Sequence, residues 1–360
     1  MKQKIQNLRS WISRYKKVLL PLSLVLGFVV DTLTLNRVDR AFENIVFITY
    51  LFLAILGIFI FNYLRQKENR NSFAERVYLI SPFIIQFMFG GLFSGLAVFY
   101  LRSGSILSSW FFILILIVLM LGNDLFKKRY ENFVLQINVF FIGLFFYLIF
   151  AIPILVNKIS IQIFVLSGLL ALGIIFLVLY LLSFGLREQV KKSIKSIFIH
   201  VVLIFAFVNI LYFTNIIPPI PLSLTAGSAY NYVDKLSDGY HAIGDKDQGF
   251  LDFNKTVYIK AGEPVYVFSS VFAPADISIQ IVHNWQYFNT KKNKWESVSK
   301  IPFTISGGRL TGYRGYSYKN NVEQGKWRVL VETTRGQVIG IISFRVFHTQ
   351  FMPALVEKVL

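Results

Sequence analysis

Before about residue 217 the chain returns again and again to apolar stretches of roughly twenty residues, separated by short charged segments. About twenty helical residues are what a bilayer core of about 30 Å requires. This repetition restricts the fold more than any motif does. Water does not solvate so many uninterrupted apolar blocks, which excludes a soluble globule. Spans are read over 18–36, 44–64, 77–101, 105–122, 132–154, 160–183 and 197–217. The expected architecture is an α-helical membrane bundle of seven spans followed by an all-β, sandwich-like extracytoplasmic domain.

The net charge of +18 suits a nucleic-acid partner only until its distribution is read. Residues up to 217 hold 21 Lys/Arg against 8 Asp/Glu, and the remainder holds 16 against 11. Most of the excess therefore flanks apolar blocks, and no nucleic-acid partner is expected. Counted on alternate sides of the seven spans, one side carries seventeen Lys/Arg and the other four. Basic loops stay in the cytoplasm. The N-terminus is thus expected inside and the C-terminal domain outside a bacterial inner membrane. Residues 1–17 are basic, with Ile5, Leu8, Ile12 and Tyr15 at helical spacing. They read as an amphipathic segment on the inner surface, or equally as a frayed basic tail.

Two features inside the spans stand out. Pro82, Gln86, Gly90 and Ser94 recur every four residues, and Gly91 and Gly95 form a G-x-x-x-G pair. Ser167 and Ala171 repeat the spacing in the sixth span. Small residues so placed let helices approach closely. The second feature is Asp31, a carboxylate within the first apolar run. Its depth corresponds to the outer third of the bilayer. Thr34 and Arg37 follow it, and Ser94 and Asn209 reach a similar level. This polar cluster reads either as a structural ion pair with Arg37 or as a substrate site.

Past the span region, Pro218, Pro219 and Pro221 stop the helix. Residues 218–255 read as a Pro-rich exit and irregular linker, without clear period. From 256 to 360 the pattern alternates, and seven segments read as strands of an antiparallel sandwich. In the last pair, Trp327, Val329 and Val331 share one face. Val338, Ile342, Phe344 and Val346 alternate against Ser343 and Arg345, which gives a hairpin with one buried and one wet face.

"DTLTLNRVD", "IPPIPLSL" and "GGRLTGYRGYSYKNNVEQGKWRVLVETTRGQVIGIISFRV" carry a resemblance. These stretches resemble bacterial membrane proteins of the domain-of-unknown-function-2914 family. The named domain corresponds to about the last seventy residues, and the G-x-W-R-V … G-x-V-I-G … F-x-V spacing is its mark. The resemblance implies a bacterial envelope protein and no activity.

Sequence motifs for chemistry are missing. The four histidines show no metal-ligand spacing, and no cysteine is present. No nucleophile elbow or phosphate-binding loop occurs. No catalytic residue, metal or cofactor is therefore expected. His283, Trp285 and Tyr287 share one face of a strand, and Arg309, Arg314 and Lys319 lie close in sequence to Tyr313, Tyr316 and Tyr318. Aromatic faces beside cationic donors suit sugar rings and anionic groups. The plainer reading is that the rings fill the sandwich core. The expected function is a membrane-anchored protein whose outer domain binds an envelope polymer, a lipid headgroup or a membrane protein partner. The alternative is a transporter or enzyme acting from the outer leaflet with Asp31 and Arg37.

Overall fold

The computed structural model describes residues 29–30, 33, 41–102, 106–125, 132–219, 222–237, 239–245, 255–273, 278–306 and 313–360. The chain divides into two units, a helical one up to Thr214 and a β-rich one that includes Asn215–Leu360.

The helices are α1 (Ala41–Gln66), α2 (Ser72–Arg102), α3 (Ile106–Leu125), α4 (Phe133–Val156) and α5 (Ile161–Phe213). Among the described residues four of them, not seven, are long and apolar enough to cross a membrane: α1, α2, α4 and α5. The difference from the expected seven falls in three places. The first expected span lies almost wholly outside the described residues. The fourth corresponds to α3, whose described apolar stretch, Trp110–Leu119, is too short. The sixth and seventh are joined in α5.

A straight helix of the 53 residues in α5 would run about 80 Å, far beyond a bilayer core. α5 does not run straight. Leu186 leaves the helical region with φ −128° and ψ 36°. Phe176 lies against Phe198, with ring centroids 6.4 Å apart. A Cβ on Gly168 would meet the Phe205 ring at 2.8 Å. The two halves are antiparallel legs of a helical hairpin that reverses at Leu186. The basic stretch after the reversal, expected as a loop, is helical. Ser160 starts the hairpin as an N-cap, its Oγ accepting from the Ile163 amide at 3.3 Å.

The small-residue faces pack as the spacing predicts. Gln86, Gly90 and Ser94 are buried, and Ser167 and Ala171 are fully enclosed. A Cβ on Gly91 would meet the Tyr50 ring at 2.7 Å, so α1 and α2 approach through that glycine. A chain of carboxamides ties α1, α4 and α5. Asn62 Nδ2 donates to Gln136 Oε1 at 2.7 Å, and Gln189 Nε2 donates to Asn62 Oδ1 at 2.8 Å. Asn62 and Gln136 are buried and satisfy each other there, and half-buried Gln189 closes the chain toward solvent.

The β unit has three sheets. Sheet A has the order β1-β5-β8, with β1 (Ser223–Tyr230), β5 (Val265–Phe272) and β8 (Tyr313–Lys319). The five-stranded sheet B has the order β4-β10-β9-β6-β7, with β4 (Lys255–Ile259), β6 (Ser278–Asn289), β7 (Lys294–Ser306), β9 (Gly325–Thr333) and β10 (Val338–His348). Sheet C is β11-β3-β2, with β2 (Tyr232–Lys235), β3 (Tyr240–Asp245) and β11 (Leu355–Val359). Sheets A and B share one apolar core, in which Val267 and Val271 meet Trp285, Trp327, Val329 and Phe344. Sheet C covers part of the other face of sheet A through Val233 and Ala242 against Tyr230 and Phe268.

All seven expected strands are present, and Trp327 is buried. Three expectations change. The segment 218–255 is not an irregular linker, because it contains β1, β2 and β3. The sandwich is not wholly antiparallel, because β4 runs parallel to β10. Ile339, rather than Val338, enters the core, because a register shift between Val338 and Gly340 turns the strand.

Candidate functional site

Alternation along β8 decides which side chains reach the surface. Tyr313 and Ser317 turn into the sandwich, and Gly315 faces Phe303. Arg314, Tyr316 and Tyr318 therefore turn outward. Their cross-strand partners on β5 are Ser270, Phe268 and Tyr266. Those in turn pair with Ala226, Ser228 and Tyr230 on β1. The outer face of sheet A is thus a registered array, polar and cationic at one end and tyrosine-rich at the other.

The polar end opens into a cleft of about 310 Å³, lined by Thr225, Ser228, Phe268, Ser270, Arg314 and Leu360 among others. Thr225 Oγ1 donates toward the Ser270 carbonyl at 2.9 Å and lies 3.0 Å from its Oγ. Arg314 Nη1 donates to the Leu360 carbonyl at 2.6 Å, and Tyr240 Oη donates to the Arg314 carbonyl at 2.8 Å. These contacts hold the guanidinium at the cleft, with one of its donors engaged among the described residues. Lys255 Nζ donates to Ser228 Oγ at 2.9 Å and lies 3.8 Å from the Tyr230 ring centroid. A second cation therefore stands one hydrogen bond from the lining. No Asp or Glu lines the cleft among the described residues.

At the other end the rings form a platform. Tyr266 contacts Tyr232, Tyr316 and Tyr318 with centroids 5.2, 6.0 and 5.3 Å apart. Tyr232 is 44% exposed and Tyr318 52% exposed, so ring surface is open to a ligand. Burial pushes the Tyr266 and Tyr316 hydroxyls above the ordinary phenol pKa, and neighbouring tyrosines and Asp234 add to it. They stay neutral donors. The site offers a cationic, hydroxyl-rich recess beside flat aromatic surface, which is the chemistry of sugar and anion recognition.

The expected site residues divide. Arg314 and Tyr316 lie on this array. Tyr313 belongs to the opposite face of β8, and Lys319, in the same phase, pairs with Val265 at the strand end. His283 and Trp285 share a face as expected, but it is the inner one, and both are fully buried. His283 Nε2 lies 2.8 Å from Ser269 Oγ and its Nδ1 2.8 Å from Ser317 Oγ. Burial lowers its pKa to about 3, so the ring is neutral. Tyr287 packs on Trp327 at 5.0 Å and donates to the Gln324 carbonyl. His283 and Trp285 are thus core positions rather than ligand-binding ones, and Tyr287 is half-buried against the edge of that core. Arg309 lies outside the described residues.

Of the intramembrane cluster, Asp31, Thr34 and Arg37 also lie outside the described residues. Ser94 is fully buried, and Asn209 Nδ2 donates to the Phe205 carbonyl of its own helix at 2.8 Å. Sequence reasoning missed Thr225, Ser228, Tyr266 and Ser270. The same-phase run Tyr266, Phe268, Ser270 in "PVYVFSS" was the available signal for the β5 members. Nothing comparable marks β1.

No curated protein matches the chain. An immunoglobulin-like protein from Pseudomonas aeruginosa is similar at 12% identity and a TM-score of 0.19, over 33% of this chain and 96% of that one. A Pseudomonas fluorescens alkylpurine DNA glycosylase bound to DNA with an abasic site analog is similar at 9% identity and a TM-score of 0.22, over 78% and 84% of the two chains. Likeness at that level assigns neither fold nor function. Residues 279–346, from β6 into β10, match the family described as "Protein of unknown function (DUF2914)", and the C-terminal region of this chain carries that domain.

Proposed function

We propose that this chain is a bacterial inner-membrane binding protein whose β unit takes an envelope ligand across the outer face of sheet A. The Lys/Arg asymmetry between alternate sides of the seven apolar blocks of the sequence, of which α5 joins the last two, is the ground for a β unit outside the cytoplasm. One observation carries the reading: the register puts Arg314, Ser270 and Ser228 at a cleft and Tyr266 and Tyr318 beside it on the same face. A saccharide bearing a carboxylate or phosphate fits that order. Its anionic group pairs with Arg314, and its ring lies on the tyrosines.

The test is calorimetric titration of the full chain in detergent with neutral and uronate-bearing oligosaccharides. Arg314→Gln is expected to weaken the acidic ligand about tenfold or more, as loss of a charge-assisted hydrogen bond does. Tyr318→Ala is expected to weaken both ligands. Absence of binding by either class, or an Arg314→Gln variant that binds the acidic ligand normally, refutes the reading.

A further inference from the structure

The outer face of sheet B carries an unbalanced charge that the cleft does not use. Lys326 on β9 and Arg345 on β10 are direct cross-strand partners. Both are exposed, and Arg328 lies on the same face two residues along β9. Like charges directly opposite one another in a sheet are unfavourable. Among the described residues none of the three makes an ion pair. Two carboxylates of the same sheet are engaged elsewhere: Glu332 with Lys300 at 3.5 Å and Glu296 with Lys292 at 2.9 Å.

Aromatic rings accompany these cations. The Arg328 guanidinium lies 4.4 Å from the Trp295 ring centroid, and Lys326 Nζ lies 5.6 Å from that of Phe288. Phe288 and Trp295 pack edge to face at 5.2 Å. On the other side, Phe347 follows Arg345 in phase and is 48% exposed. No described cavity lies here, so the surface suits something broad rather than a small molecule. Only residues 214–222 separate α5, a helix apolar enough to cross a bilayer, from β1. Basic residues interleaved with Trp and Phe are the usual equipment of a surface that rests on headgroups.

We infer that the Lys326–Arg328–Arg345 face of sheet B is a docking surface for an anionic phospholipid bilayer. Headgroup phosphates supply the counter-charge the protein lacks there, and Phe347 and Trp295 enter the interface beside them.

The chain contains no cysteine, so a single introduced thiol reports one position. Full-length Phe347→Cys, and Tyr318→Cys as a control on sheet A, are spin-labelled and placed in nanodiscs. The discs are of phosphatidylcholine alone or with one third phosphatidylglycerol. Accessibility to a water-soluble nickel chelate is measured for each label. At position 347 it is expected to fall several-fold in the anionic discs only. It should recover in about 0.5 M salt, where the screening length is only a few ångströms. It should also recover when Lys326→Glu and Arg345→Glu are added. The label at 318 should not change with lipid, and an unchanged thermal midpoint in detergent is the check that the variants keep their fold. Equal exposure of position 347 in both disc types overturns the proposal. So does equal shielding by soluble dextran sulfate in neutral discs, which assigns the face to a polyanion instead.

Discussion

Phe164 and Tyr212 stack face to face, with ring centroids 3.5 Å apart and planes 1° from parallel, although they lie near opposite ends of one continuous helical segment. The contact exists only because α5 reverses at Leu186. Gly185 makes room at the turn, where a Cβ would meet the Phe59 ring at 2.7 Å. The reversal also puts the charged stretch Arg187–Lys195 at the tip and leaves two apolar legs, each long enough to cross a bilayer.

The hairpin predicts a crosslink. Phe176→Cys and Phe198→Cys together, in an otherwise cysteine-free chain, should join through a short bismaleimide in native membranes. Neither single variant should give the intramolecular product. Failure of the pair to react, with both thiols accessible to a monofunctional maleimide, would mean the legs do not lie side by side.

Ser317 is predicted to matter more than Ser269. Ser317 Oγ receives the Trp285 indole N–H at 3.0 Å and also meets His283 Nδ1, whereas Ser269 Oγ meets only His283 Nε2. Each buried polar group left unsatisfied costs about 1–3 kcal/mol, so Ser317→Ala should cost about twice as much as Ser269→Ala. Urea unfolding of the two variants, followed by tryptophan fluorescence, provides the comparison. Equal losses would show that the indole bond contributes little.

The same histidine sets an acid limit on the β unit. The folded pKa of about 3 lies below the ordinary 6.5. Between those values the unfolded chain holds a proton on His283 that the folded chain does not. Stability from this group is therefore full above about pH 6.5 and falls toward pH 3, by up to about 1.4 kcal/mol per pH unit. The thermal midpoint of the full chain in detergent should drop across that window, and His283→Gln should drop less steeply. Parallel slopes would exclude His283 as the source.

His283 also marks where the sequence stops being legible. Alternation correctly places His283, Trp285 and Tyr287 on one side of β6. It does not say which side, because that depends on Ser269 and Ser317 arriving from another sheet to satisfy the imidazole. Arg314 and Tyr316 were recognisable as residue types, yet Tyr313 beside them faces the opposite way. The strands β4 to β10 were visible because bulky residues alternate with polar ones. β1, "SLTAGSAY", was not, because its inward positions include Gly227 and Ala229 rather than bulky residues. A Cβ on Gly227 would meet Ile342 Cγ1 at 2.8 Å, so small size is the requirement there. The helical hairpin was legible as two spans and illegible as one helical segment, since charge between apolar blocks signals a loop and a helical turn alike.

Gly340 tests that close approach from the other sheet. It lies where β10 shifts register, and a Cβ there would come within 2.6 Å of Leu224 Cβ, at the start of β1. The glycine of "QVIGI" thus lets β1 lie against sheet B, which explains why a strand of small residues belongs to the sandwich at all. Gly340→Ala is expected to cost about 1–3 kcal/mol by overpacking. Leu224→Ala alone should cost less than the about 2–5 kcal/mol typical of a fully buried leucine, because Leu224 is only half-buried. Together the two changes should relieve each other in part, since Leu224→Ala removes the Cγ and Cδ2 that the new methyl group would also meet but keeps Cβ. A coupling of about 0.5–3 kcal/mol is expected from a double-mutant cycle read by urea unfolding. If the two losses simply add, the methyl group is accommodated by movement elsewhere. Gly340 would then be required for the bend of β10 rather than for the approach of β1.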